Sequence, residues 1–124
     1  MIRGVVTDEF EGWIDLAIVG DDQSAIGFSG VIDTGFSGSL TLPLAVIERF
    51  GGQRVGIANV YLADGSRTFC HIFKLTILWD GRPLTIEVDA AETEPLIGMG
   101  LLAGHDLQMR VVPNGEVIIS AIPI

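Results

Sequence analysis

The stretch VIDTGFSGSL (31–40) decides how this chain is read. Val31 and Ile32 are β-branched and apolar, as in a buried strand, and Asp33 follows them directly, ahead of Thr34, Gly35 and a run of small residues up to Leu40. An ionised carboxylate at the end of an apolar strand is costly unless it is paired or hydrogen-bonded. A local use is open to it, because Asp bonds its own backbone in Asx-turns. A chemical use is equally open, and the rest of the chain has to choose between them.

Working outward, the surroundings are strands. GWIDLAIVG (12–20) alternates Trp13, Asp15 and Ala17 with Ile14, Leu16 and Ile18, the period of a half-buried strand, and SAIGFSGVID (24–33) leads into the quoted stretch as another. Downstream, Asp64-Gly65, Asp80-Gly81 and Asn114-Gly115 each separate two strand-like runs, the residue pairs a type I′ hairpin turn requires. These three hairpins predict at least six strands. LPLAVIERF (42–50), with Pro43 near its start, predicts one or two turns of helix, and Met99–Ala103 a second short one. The expected architecture is a mainly antiparallel β domain, one domain over residues 1–124, with one or two helical turns.

Composition narrows the partners. Seven Lys and Arg are scattered singly against sixteen Asp and Glu, for a net charge of −9, which lacks the phosphate-binding footprint of a nucleic-acid protein. No apolar run approaches the roughly 18 residues of a membrane span, and the N-terminus meets acids too early for a secretory signal, so a cytoplasmic location is expected. Cys70 is the only cysteine, which excludes an internal disulfide and a multi-cysteine zinc site, and it reads as a small buried strand residue.

Three other motifs compete with Asp33 for chemistry. GMGLLA (98–103) has the spacing of a dinucleotide fingerprint, but the twenty or so residues after it hold a hairpin and no βαβ crossover. His71 and His105, the only histidines, do not supply the three or four converging ligands of a zinc site. A Ser37, His71, Asp89 triad is formally available, yet no G-x-S-x-G elbow is present. No cofactor and no metal are expected.

With those set aside, VIDTGFSGSLTL resembles the active-site segment of the retropepsin-like (clan AA) single-domain aspartic proteases. EPLIGMGLL (94–102) resembles that family's apolar-apolar-Gly strand leading into a short helix, and VYLADGSRTF (60–69) stands in the place of its flap hairpin. The resemblance implies an all-β fold, a closed or orthogonal antiparallel β barrel of the acid-protease type with one or two short helices. It implies a homodimeric aspartic endopeptidase in which Asp33 is catalytic and Thr34 and Gly35 complete the active-site turn. Asp64, Gly65 and Ser66 would form the flap over a peptide or protein substrate, and Phe36, Ile97 and Gly98 are candidates for the substrate pocket. An ordinary surface turn remains open for the hairpin, and a plain packing role for Phe36.

The chemistry fits a dimer. Hydrolysis of a peptide bond by water needs a base to take a proton and an acid to give one to the carbonyl oxygen, and a single carboxylate is not both at once. A twofold axis places the same patch against itself, so Asp33 would meet its own copy. Two adjoining carboxylates cannot both ionise cheaply; the pair shares a proton and titrates with one apparent pKa lowered and one raised.

The chain departs from the family at identifiable positions. Ser37 and Met99 stand where many retroviral members carry an acid and an Arg that pair, so one dimer-stabilising contact is missing. Phe36 replaces the hydroxyl that follows the turn in pepsin-like members, which implies a less acidic rate optimum than pepsin's. The apolar tail SAIPI (120–124) is a candidate for closing the dimer interface. Two other functions compete: a catalytically silent, dimeric peptide-binding module on the same fold, and a generic β-barrel binding protein in which both motifs are coincidence.

Overall fold

The computed structural model describes residues 1–124. Ten strands and two short helices run in the order β1 (Ile2–Val6), β2 (Gly12–Val19), β3 (Ala25–Ile32), β4 (Leu40–Leu42), α1 (Leu44–Arg49), β5 (Gln53–Tyr61), β6 (Arg67–Trp79), β7 (Arg82–Ala90), β8 (Leu96–Ile97), α2 (Met99–Leu102), β9 (His105–Met109) and β10 (Glu116–Ala121). All strands belong to one sheet, ordered β5-β6-β7-β4-β8-β3-β2-β1-β10-β9. β6 bends the sheet back on itself. Its first half pairs with β5 and its last residues, Thr76 to Leu78, pair with Val19 to Ala17 of β2, which joins six strands into a ring.

The ring departs from the expected closed antiparallel barrel in two respects. The β2–β6 ladder that joins it is only three residue pairs long, and β5 and β9 remain as sheet edges, so closure is partial. Two ladders, β3 with β8 and β4 with β7, are parallel. Both involve strands of two or three residues, too short to announce themselves by alternation. β1 was not among the expected strands, although Ile2 and Val6 carry the same period as its neighbours.

The three turn dipeptides all fall at hairpins, in three different geometries. Asp80 and Gly81 both have positive φ, 52° and 79°, between Trp79 and Arg82, the expected two-residue I′ turn. At Asn114-Gly115 only Asn114 is left-handed, at 63°, with Pro113 before it and the Gly115 N–H donating to the Val112 carbonyl at 2.8 Å, which makes a type II turn. At Asp64-Gly65 only Gly65 is left-handed, at 83°, inside a longer loop closed by Leu62 N–H to the Ser66 carbonyl.

Alternation puts the core inside the ring. Ile14, Leu16 and Ile18 of β2 and Phe73, Leu75, Ile77 and Trp79 of β6 point inward, joined by Leu40, Val88 and Ile97, and α1 closes the bottom with Ile47. Each such side chain contributes roughly 1.5–3 kcal/mol by leaving water. The paired registers fix which residues face out: Val31 with Leu96, and Asp89 with both Thr41 and Ile72. Val31 is buried yet belongs to no part of the core cluster, because it lies on the outer face of β3 beside Asp33.

Candidate active site

Asp33 leaves the end of β3 and is fixed from two sides. Its N–H donates to the Ile97 carbonyl at 2.9 Å, extending the parallel β3–β8 ladder by one bond, and its carboxylate Oδ1 accepts the Gly35 N–H at 2.9 Å. The local Asx-turn left open by the sequence is therefore present, and it holds the side chain still. Asp33 itself is half-buried, while Thr34 and Gly35 are exposed. The cost of burying a carboxylate is mostly avoided in the single chain.

Behind the turn, the quoted stretch and the second motif are bolted together. Met99 N–H donates to the Phe36 carbonyl at 2.8 Å, Gly98 N–H to Ser39 at 3.0 Å and Gly100 N–H to Gly38 at 3.0 Å. Thr41, buried, accepts the Leu96 N–H on its hydroxyl at 2.9 Å. The approach is so close that a Cβ on Gly98 would run into the Gly38 carbonyl oxygen, and one on Gly38 would lie 2.5 Å from the Phe36 ring. The glycines of both motifs are thus required by backbone contact and by the aromatic ring laid across it.

In the single chain Ile97 is fully buried in the core and Gly98 is buried against Gly38. Phe36 is half-buried over the two glycines and is not among the residues of the groove described next. The strand and turn that carry these three form the back wall of the site, and the front wall comes from elsewhere.

The front wall is a groove of about 340 Å³, with Asp33 among its lining residues. It is walled chiefly by Val31, Leu96, Phe10, Met109 and Val111, and Glu11 is its other carboxylate. Phe10, Met109 and Val111 were not anticipated. They lie in the β1–β2 loop and in and just after β9, far from Asp33 in sequence, and only the fold brings them in. Phe10 does carry a signal: it has a φ of 61°, an outlier for a bulky residue, with its N–H on the Thr7 carbonyl at 3.0 Å. A larger recess, about 430 Å³, sits where the β2–β3 turn meets the end of α1, but its lining is polar apart from Phe50. It has no means of desolvating a substrate.

The hairpin tip is well formed. Asp64 Oδ1 accepts both the Ser66 N–H at 2.8 Å and the Ser66 hydroxyl at 2.5 Å, and the hydroxyl bond, then the backbone one, holds the Asp64 carboxyl below its ordinary range. Nothing lies within 4 Å of a Cβ placed on Gly65, so the tip projects free. Cys70 is half-exposed on β6 where a buried residue was expected, its thiol pointed at the Ala90 carbonyl at 3.4 Å; desolvation, then the nearby Asp89, raises its pKa. Asp89 is itself raised by desolvation and by Glu87. His71 points to the face of β6 opposite the one that Ile72 shares with Asp89, which removes the Ser37, His71, Asp89 triad.

His105 is engaged as a structural group. Trp79 Nε1–H donates to its Nε2 at 3.1 Å, and its Nδ1 lies 3.0 Å from the Ala103 carbonyl, which fits the tautomer with the proton on Nδ1.

Fold and site together define an all-β chain of the retropepsin-like fold, with the Asp-Thr-Gly turn backed by an apolar-apolar-Gly strand. Among solved structures, the chain is similar to the crystal structure of a retropepsin-like aspartic protease from Rickettsia conorii, at 15% identity and a TM-score of 0.56, over 98% of this chain and 92% of that one. No protein-family model and no curated protein matches the chain. At that identity the likeness establishes the fold. No helix is long and apolar enough to cross a membrane.

Proposed function

We propose that this chain is an aspartic endopeptidase that works as a homodimer, with Asp33 of each protomer forming the catalytic pair. One carboxylate takes a proton from a water held between them while the other gives its proton to the carbonyl oxygen of the peptide. The water oxygen bonds to the carbonyl carbon. The C–N bond then breaks as the nitrogen is protonated, which releases an amine and a carboxylic acid and leaves one proton on the pair.

The observation that carries this reading is the placement of Asp33. A carboxylate held by its own turn, on a residue whose backbone N–H donates to the Ile97 carbonyl, opens onto an apolar groove, in a fold shared with a retropepsin-like aspartic protease. Thr34, exposed at the turn, is available to bond across a twofold axis, and Gly35, also exposed, leaves room for a substrate backbone. The β5–β6 hairpin with Asp64, Gly65 and Ser66 at its tip acts as the cover. The substrate is a peptide or protein, with an apolar side chain in the groove walled by Val31 and Leu96.

The test is Asp33→Asn, assayed beside the unaltered chain on a mixed peptide library from acidic to neutral pH. The variant is expected to lose roughly 10³-fold or more in turnover. Its sedimentation and far-UV dichroism are expected to match the unaltered dimer. Retained peptidase activity refutes the reading.

A further inference from the structure

The β1–β2 loop, TDEFE (7–11), holds three acids and no base. Thr7 closes it: its N–H donates to the Glu11 carbonyl at 2.9 Å, its carbonyl accepts the Phe10 N–H at 3.0 Å and its hydroxyl accepts the Glu11 N–H at 3.3 Å. Asp8 and Glu9 stay exposed, whereas Glu11 is half-buried and lines the groove together with Asp33. The two carboxylates differ in how they are held. Asp33 accepts the Gly35 N–H, while Glu11 is fixed by its backbone alone, and its carboxylate makes no hydrogen bond and no ion pair within the chain.

No Lys or Arg lines the groove. Arg110, between the wall residues Met109 and Val111 in sequence, lines a separate recess with Gln108 and Glu116. A cleft that carries one sign of charge between apolar walls focuses the field of that charge, which open water would screen. The side chain that suits it is apolar along its length and positive at its end. Lys and Arg have that form, because their methylene stems cover apolar surface while the head keeps its polar partners. Met109, Val111 and Phe10, whose ring is 62% exposed, offer surface to the stem, and Glu11 offers a partner to the head. A cationic head also gains from the face of an aromatic ring. The alternatives lose on the same terms: an acidic side chain meets like charge, and a wholly apolar one takes water from Glu11 without replacing it.

We propose that Glu11 selects the substrate: the groove takes a Lys or Arg side chain, stem along Phe10, Met109 and Val111 and head on the Glu11 carboxylate, so the chain acts on basic peptides and discriminates against acidic ones. The proposal rests on the peptidase reading, whose groove it fills, and adds to it the sign of charge that the substrate carries. Because Glu11 and Asp33 line one groove of about 340 Å³, the basic residue stands within about two positions of the bond that is cut.

The experiment measures binding apart from cleavage. Three fluorescein-labelled peptides of Leu and Phe, differing only in one central Lys, Gln or Glu, are titrated by anisotropy with the full chain carrying Asp33→Asn, which leaves Glu11 as the groove's one carboxylate. The Lys peptide is expected to bind about tenfold more tightly than the Gln peptide, and the Glu peptide most weakly. Adding Glu11→Gln should bring the Lys and Gln peptides within about twofold, and adding Glu11→Lys should put the Glu peptide first. Asp106→Asn, an equal change of net charge at an exposed site on β9, should leave the order and the tenfold gap as they were. Far-UV dichroism and urea midpoints confirm that each variant is folded. Absent binding, equal affinity for the three peptides, or an unaltered order in folded Glu11→Gln overturns the proposal. So does an equal response to Asp106→Asn, which would make net charge the cause, or a change of oligomeric state in Glu11→Gln, which would put Glu11 against a second copy. Failure of the peptidase reading shows differently: the unaltered chain then leaves all three peptides uncut while the binding order stands. If it does cut them, kcat/KM should follow the same order, and a preference for the Glu peptide overturns the proposal.

Discussion

Replacing Gly98 by Ala tests whether the close approach of the two motifs builds the site. The backbone of Gly98 has φ −97° and ψ 172°, an extended conformation open to any residue, so the whole effect is steric. The added methyl would overlap the Gly38 carbonyl and come 2.5 Å from Phe36 Cδ2, and relief requires the 36–39 segment to retreat. Three hydrogen bonds hold that segment to Gly98, Met99 and Gly100. Overpacking costs typically about 1–3 kcal/mol, and each of the three bonds, if lost, about 0.5–1.5 kcal/mol, for a total of roughly 2.5–7.5 kcal/mol. With a urea slope of about 1–3 kcal/mol/M, the midpoint should fall by roughly 2 M.

The internal control is Gly56→Ala on the hairpin, where nothing lies within 4 Å of the new Cβ and φ is not positive; its midpoint should hold or rise slightly. The assay is urea unfolding followed by tryptophan fluorescence, with peptidase rates measured on whatever remains folded. A Gly98→Ala midpoint equal to the unaltered chain's would refute the claim that the two motifs are in contact through their backbones.

Other perturbations read different parts of the molecule. Phe10→Gly should raise stability by about 1 kcal/mol, because Gly accepts the positive φ without strain, while raising KM through loss of the ring from the groove; urea midpoints and peptide kinetics measure the two effects separately. Trp79→Phe should cost about 1 kcal/mol by leaving His105 Nε2 without its donor, read from the same unfolding assay. Asp89 has a folded pKa raised above its unfolded value, so its ionisation opposes folding. Asp89→Asn should therefore stabilise the chain above that raised pKa, and the gain should fade as pH falls through it and vanish below the ordinary value of 3.8, where the carboxyl is protonated in both states; a gain that grows with acidity would contradict this. Removing Ile122–Ile124, exposed beyond the Ile122 bond to the Gly104 carbonyl, should weaken the proposed dimer without unfolding the chain, and an unchanged sedimentation profile would exclude the tail from its interface.

What could be read from the residues follows from how local each feature is. The hairpins were legible because Asp-Gly and Asn-Gly pairs tolerate positive φ, but their exact turns were not, since Pro113 and the Leu62–Ser66 bond decide the geometry from outside the dipeptide. The alternation of β2 transferred intact to the structure. β4 and β8, at three and two residues, have no period to detect, and their parallel partners are set by the return of the chain through β7. At the site, Asp33 and the backbone clamp behind it are encoded in two short motifs. The groove wall is assembled from three distant segments, which no single motif records, because a motif shows which residues are near the carboxylate and not which side they face.

The bond from Gly35 N–H to Asp33 Oδ1 has one more consequence. One oxygen is engaged by the turn and the other is not, so the two oxygens of this carboxylate are inequivalent in a lone folded chain, and a water near them meets a side chain with a settled orientation. That inequivalence arises within a single chain, from two residues adjacent but one in sequence.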